Sequence, residues 1–242
     1  MIINEPFIQM ECEHFAMFDV LLFDSLPSYA SGDSYSSYAE LQLHEILHQD
    51  YDIRYEQRFS YLSIMAIHGG GIEPGTSEVA KELADRFSAS YYLFEGIKST
   101  NNGVLHITSE NFDEPIARGM AQQSMSVMTI HGYSGSQPIV YVGGKNQLYK
   151  ELVKQSLRKH GFTVRDAPSD IAGTSEQNIV NDNLLKAGVQ LELTAELRKS
   201  FFVNHDWSRN NRMNVTPLFH TFITSLQEAS SSYQTFLYFQ VH

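Results

Sequence analysis

SIMAIHG at residues 63–69 and SVMTIHG at residues 126–132 set nearly the same seven residues down twice. Each is an apolar run too continuous for a strand with one wet face, and each closes on histidine and glycine. Such a run fits a strand covered on both sides, as in a parallel sheet between helices. No 20–50-residue period accompanies the echo, so it is not a domain repeat. It reads as two strands given the same role at the same end.

Outward from these strands the chain alternates. TSEVAKELADRF after the first reads as a helix, with Thr76 or Ser77 as its cap. SYYLFEG (90–96) is a strand, and EPIARGMAQQS (114–124) a helix opened by proline. QPIVYVGG follows as a strand, then a helix over 146–162 stopped by Gly161, then the strand GVQLELT (188–194). Residues 215–230 read as a helix capped by Thr216, and SYAELQLHEILHQ (37–49) as another, with Leu41, Leu43, Ile46 and Leu47 inward. The expectation is a single α/β domain, residues 34–242, with a mostly parallel mixed sheet flanked by helices. Residues 1–33 end in the turn-rich SLPSYASGD and read as a separate acidic extension.

Charge is unevenly placed. Ten acids and no basic residue precede Arg54, giving residues 1–53 a charge of −10 out of −11, while the remainder sets 17 basic against 18 acidic residues. A basic stripe is missing, which argues against nucleic acid as a partner. The apolar stretch FAMFDVLLF lacks a basic flank and contains Asp19, unlike a signal peptide. Nothing approaches the ~18 apolar residues of a membrane span. The expectation is a cytoplasmic protein, or one released by lysis. A single cysteine, Cys12, leaves any metal to histidine and carboxylate.

Ligands of parallel sheets gather beyond the carboxyl ends of the strands, where His68 and His131 fall. Gly69, Gly70 and Gly71 let the backbone curl so that Glu73 returns to the same point. One histidine after a buried strand is usually a polar residue at the rim of the core. Two of them with a looped-back carboxylate are the donor set of a catalytic zinc ion, the fourth position left for water. HGGGIEPG also resembles a phosphate cradle, but Glu73 inside it would repel the anion. GYSGS is not a serine-hydrolase elbow, because Ser136 stands where the last glycine belongs.

IHGGGIEPGTSE, FEGIKSTNNGVLHITSENFDEP and TIHGYSG, in that order, resemble the poly-γ-glutamate hydrolases of bacteriophages and prophage-bearing bacilli. The likeness runs from about Ser36 to about Ser230. It implies a fold akin to the zinc carboxypeptidases, one Zn²⁺ on His68, Glu73 and His131, and poly-γ-glutamate as substrate, cut within the polymer. It departs from ordinary zinc carboxypeptidases, whose first histidine and glutamate stand closer together. Such enzymes carry a general-base glutamate on a late strand. Glu192 is favoured here because it interrupts an apolar strand, with Glu196 as the competing choice. The resemblance also puts Lys98 and His106 near the substrate's carboxylates; Arg118 and Arg198 are further cationic candidates. Tyr133 and Ser134, just after His131, are placed to donate to a developing oxyanion. Two other readings stay open: a zinc amidase or carboxypeptidase for small acyl-glutamate or peptide ends, and a non-catalytic polyanion-binding module.

Overall fold

The computed structural model describes residues 32–241, so the expected extension lies outside the described residues except for Gly32 and Asp33. A short helix α1 (Tyr38–Leu41) leads to β1 (Tyr51–Glu56), β2 (Leu62–Gly70), α2 (Thr76–Arg86) and β3 (Ser90–Gly96). There follow α3 (Pro115–Gln123), β4 (Ser126–Tyr133), β5 (Ile139–Gly143), α4 (Gln147–Lys159) and β6 (Thr163–Asp166). The chain ends with β7 (Val189–Thr194), α5 (Ala195–Ser200) and α6 (Pro217–Val241).

The strands form one mixed sheet in the order β1-β3-β2-β4-β7-β5-β6. β2 pairs in parallel with β3 and β4, β4 with β7, and β5 with β6. The β1/β3 and β5/β7 pairs are antiparallel. The two echoing strands are therefore direct parallel neighbours in the middle of the sheet, which explains why both are apolar throughout. Alternate residues feed two cores. Leu62, Ile64, Ala66, Met128, Ile130 and Leu191 pack beneath α2, α4 and α6. Met65, Ile67 and Val127 face the other side, against Ala117 and Met120 of α3, and Phe112. Each fully buried large side chain contributes about 1.5–3 kcal/mol, and the central strands supply many of them. Among the described residues no helix is long and apolar enough to cross a membrane.

The region before β1 departs from expectation. Only Tyr38–Leu41 is helical, and Leu43, Ile46 and Leu47 are exposed. Turns occupy the rest because Glu45 takes the inward place, its carboxylate held by Tyr35 and Lys98, while His48 adopts a left-handed φ of 68°. The helix after β2 is also started differently. Gly75, at φ 100°, is the cap residue, with no side-chain cap. Thr76 Oγ1 donates instead to the Glu73 carbonyl, and Ser77 Oγ accepts from the Gly70 amide. Both hydroxyls fasten the glycine loop rather than the helix.

Candidate metal centre and its cavity

Within the β2/β4 ladder Met65 faces Thr129, so each residue of SIMAIHG stands one place out of step with its counterpart in SVMTIHG. Regular alternation would send His68 to the Ala66 face, opposite His131. A register shift between Ala66 and Gly69, read against β3, puts an extra residue into β2. His68 thereby comes round to the His131 side, where the two rings meet edge to face at 5.0 Å. The chain then turns back on itself. The Glu73 amide donates to the His68 carbonyl at 2.9 Å, and Gly70 takes a left-handed φ of 64° in the turn. A Cβ on Gly70 would lie 2.5 Å from the Gly96 carbonyl oxygen, so only glycine fits there.

Three acceptors converge. His68 Nδ1 is 3.1 Å from His131 Nδ1 and 3.3 Å from Glu73 Oε1, and His131 Nδ1 is 3.8 Å from Glu73 Oε2. One ligand atom from each residue lies within 4.8 Å of the others. The Gly132 amide donates to Glu73 Oε2 at 2.8 Å and fixes the carboxylate. His68 Nε2 lies 2.8 Å from the Ile107 carbonyl, which can only accept, so this nitrogen carries a proton and Nδ1 is the one that offers a lone pair whenever the ring is neutral. Both imidazoles are buried at 2% exposure.

In the metal-free chain the group shares charge awkwardly. Burial works against a charged His68, yet the Glu73 carboxylate outweighs it and raises the imidazole above its ordinary range. Burial and the neighbouring His68 together hold His131 down to about 3. Burial pushes Glu73 up, but the two histidines beside it bring it down to about 2. Lone pairs of two imidazoles and one carboxylate aimed at a common point call for a cation, and this donor chemistry fits a divalent ion such as zinc.

Glu192 stands directly across from His131 in the β4/β7 ladder, on the same face. It is 6% exposed. Gln190 Nε2 donates to Glu192 Oε1 at 3.0 Å. Burial, with Glu73 nearby, raises the Glu192 carboxyl well above the usual carboxylate range. Both side chains line a cavity of about 970 Å³ shared with His68, Glu73 and His131. Glu196 lies outside that wall and approaches His205 at 3.8 Å.

His106, Tyr133 and Ser134 also line the cavity. The His106 ring packs on His68 with centroids 4.0 Å apart, and its Nδ1 is 2.6 Å from Asp33 Oδ1. Lys98 and Arg118 are not part of the wall. Lys98 Nζ is bound to Glu45 Oε2 at 2.6 Å. Arg118 is taken up by the carbonyls of Glu110, Phe112 and Gln177. Among the described residues no lysine or arginine lines the cavity at all, whereas Glu110 and Asp170 do.

Arg198 lies behind the site, 5% exposed. Its guanidinium donates to the carbonyls of Leu193 (3.0 Å), Pro74 (2.9 Å) and Tyr133 (3.3 Å). Those carbonyls follow Glu192, Glu73 and His131 closely in the chain, so one side chain ties together the three segments that carry the polar cluster. A Cβ on Gly132 would lie 2.5 Å from the guanidinium carbon. This explains the glycine after His131. Gly69, after His68, is likewise required because the Ser77 hydroxyl occupies the space beside it. Sequence reasoning missed Gln190, Asp33 and residues 169–175. Gln190 had a readable signal, since it interrupts the apolar strand at the same period of two as Glu192. The other two sit in loops with no pattern.

A profile describing poly-gamma-glutamate hydrolases matches residues 35–225. The chain belongs to that family. UPF0714 protein YmaC of Bacillus subtilis (strain 168) is 34% identical over 198 residues, covering 81% of this chain and 83% of YmaC. A bacteriophage poly-gamma-glutamate hydrolase structure superposes with a TM-score of 0.82 at 33% identity, covering 83% of this chain and 98% of that one. A structure described as zinc-free apo YNDL gives 0.78 at 36% identity, covering 82% and 98%.

Proposed function

We propose that this family member is a zinc-dependent hydrolase that cleaves γ-glutamyl amide bonds within poly-γ-glutamate, with one ion held by His68, Glu73 and His131. The observation that carries this reading is the convergence of three lone-pair donors beside buried Glu192 at one cavity. The zinc-free description of the related YNDL structure supports the choice of metal. When bound, the ion polarises the scissile carbonyl and lowers the pKa of a water toward ~7.

The chain's own residues do the rest. Glu192 takes a proton from the attacking water and passes it to the departing amine. Glu192 must be ionised to take that proton, a form that a cation on the adjacent ligands would favour, and its buried surroundings then help it hold the proton until the amine departs. Gln190 fixes the carboxylate's orientation. Tyr133 and Ser134 donate to the carbonyl oxygen as it gains charge. His106 forms the wall beside His68 against which the polymer lies. We assign no substrate contact to Lys98 or Arg118, whose donors are already engaged. A cavity of about 970 Å³ is at the upper end for small-ligand sites and has room for units on both sides of the scissile bond, which favours internal cuts.

Metal analysis paired with a digest of γ-linked polymer tests the reading. One zinc per chain and rapid loss of chain length are expected, both abolished by chelation. Glu192→Gln should keep the zinc and lower kcat by ~10²-fold or more. Near-normal turnover in that variant would remove Glu192 as the base. Monomer release with little shortening would mean attack at chain ends, and polymer binding without zinc or cleavage would mean a binding module.

A further inference from the structure

The γ-linked polymer carries a free α-carboxylate on every unit, yet the cavity wall offers it no lysine or arginine. Something else must receive that charge. Resting on the γ-glutamyl reading above, we propose that the strap at residues 171–175 is the α-carboxylate subsite, using backbone N–H groups in place of a cation.

The strap crosses the ends of β5 and β7 and is clamped by its carbonyls. The Gly144 amide donates to Ala172 O at 2.6 Å, and Asn181 Nδ2 donates to Gly173 O at 2.8 Å. Gln190 Nε2 holds Ile171 O at 3.1 Å. In a trans peptide the N–H points opposite to the preceding carbonyl. The amides of Gly173 and Thr174 are thus turned away from the body of the protein, and neither has an acceptor among the described residues. Gly173 and Thr174 line the cavity, and a glycine can do so only with its backbone. Ala172 is right-handed at φ −71° and Gly173 left-handed at φ 60°. That succession turns consecutive N–H groups into one concavity, a nest suited to an anion. Contact is close enough to preorganise it: a Cβ on Gly173 would lie 2.5 Å from Gln190 Oε1, and one on Gly143 would collide with Ala172 O.

Asp170 also lines the cavity and opposes an anion. A γ-linked chain presents an amide N–H next to each carboxylate, and Asp170 is placed to accept from it. Neutral donors combined with an acid discriminate a glutamyl backbone from a simple polyanion, which an arginine would not.

The test compares a γ-linked glutamate tetramer with the same tetramer bearing α-carboxamides, titrated into the zinc-loaded Glu192→Gln chain. The carboxamide should bind about tenfold or more weakly, the range for a charge-assisted hydrogen bond. Adding Thr174→Pro, which deletes one N–H, should weaken the carboxylate tetramer by a similar factor and leave the carboxamide nearly unchanged. Adding Asp170→Asn instead should tighten the carboxylate form. Equal affinity for the two tetramers, binding of neither, or equal loss of both in Thr174→Pro would overturn the subsite. Discrimination without any hydrolysis by the wild-type chain would overturn the activity proposed above and leave the subsite standing; hydrolysis without discrimination would do the reverse.

Discussion

The tips of β2 and β4 are nearly identical in sequence and unlike in construction. β4 runs straight to His131, which faces Glu192 across a regular ladder. β2 reaches the same point only through an extra residue, a left-handed glycine and a turn closed by the Glu73 amide. His68 is oriented by the Ile107 carbonyl, whereas His131 Nε2 is buried with no partner among the described residues. Matching words in a sequence can therefore mark a shared destination reached by different backbones. The irregular route also delivers a carboxylate, which the straight one does not.

The contrast is broken most severely by removing either imidazole. His68→Ala and His131→Ala should each abolish zinc retention and lower activity by ~10³-fold or more, measured by metal content and polymer digestion, because two remaining donors hold zinc poorly.

Arg198 serves both tips, and Arg198→Ala should cost about 3 kcal/mol of stability by denaturant unfolding, since buried carbonyls lose their donors. If the residue only fills space, Arg198→Met would restore zinc affinity along with stability. If its donors align the three segments, Arg198→Met recovers neither.

Protons sharpen the difference between the histidines. In the metal-free chain Glu73 raises His68 above its ordinary range, while His131 is held to about 3. His68 is therefore the imidazole whose proton competes with an ion for the site. Zinc affinity should fall by about tenfold per pH unit below the His68 pKa, read by competition with a chelator. An affinity that stays flat down to mildly acid pH would show that His68 is already neutral.

Much of this was legible before any coordinates. Covered strands announce themselves by unbroken apolar runs, and β2, β3, β4, α3, α4 and β7 fall close to where their patterns put them. The meeting of His68, Glu73 and His131 was readable because the glycine loop and the echoed strand ends are local patterns. What escaped was set by contacts distant in sequence. Leu43, Ile46 and Leu47 have helical spacing, but Glu45 is drawn inward by Lys98, 53 residues away, and the helix gives way to turns. The strap at 171–175 owes its shape to Gly144, Asn181 and Gln190, none of which leaves a mark in its own residues.

The reversal of direction between β7 and β5 divides the labour of the molecule. His68, His131 and Glu192 ride on three adjacent parallel strands, locked by the interior of the sheet. The opposite wall hangs from β5 and β6, beyond that reversal, at the edge. A substitution on that margin meets little of the buried ladder that positions His131 beside Glu192, so the wall can change shape while the central side chains keep their places.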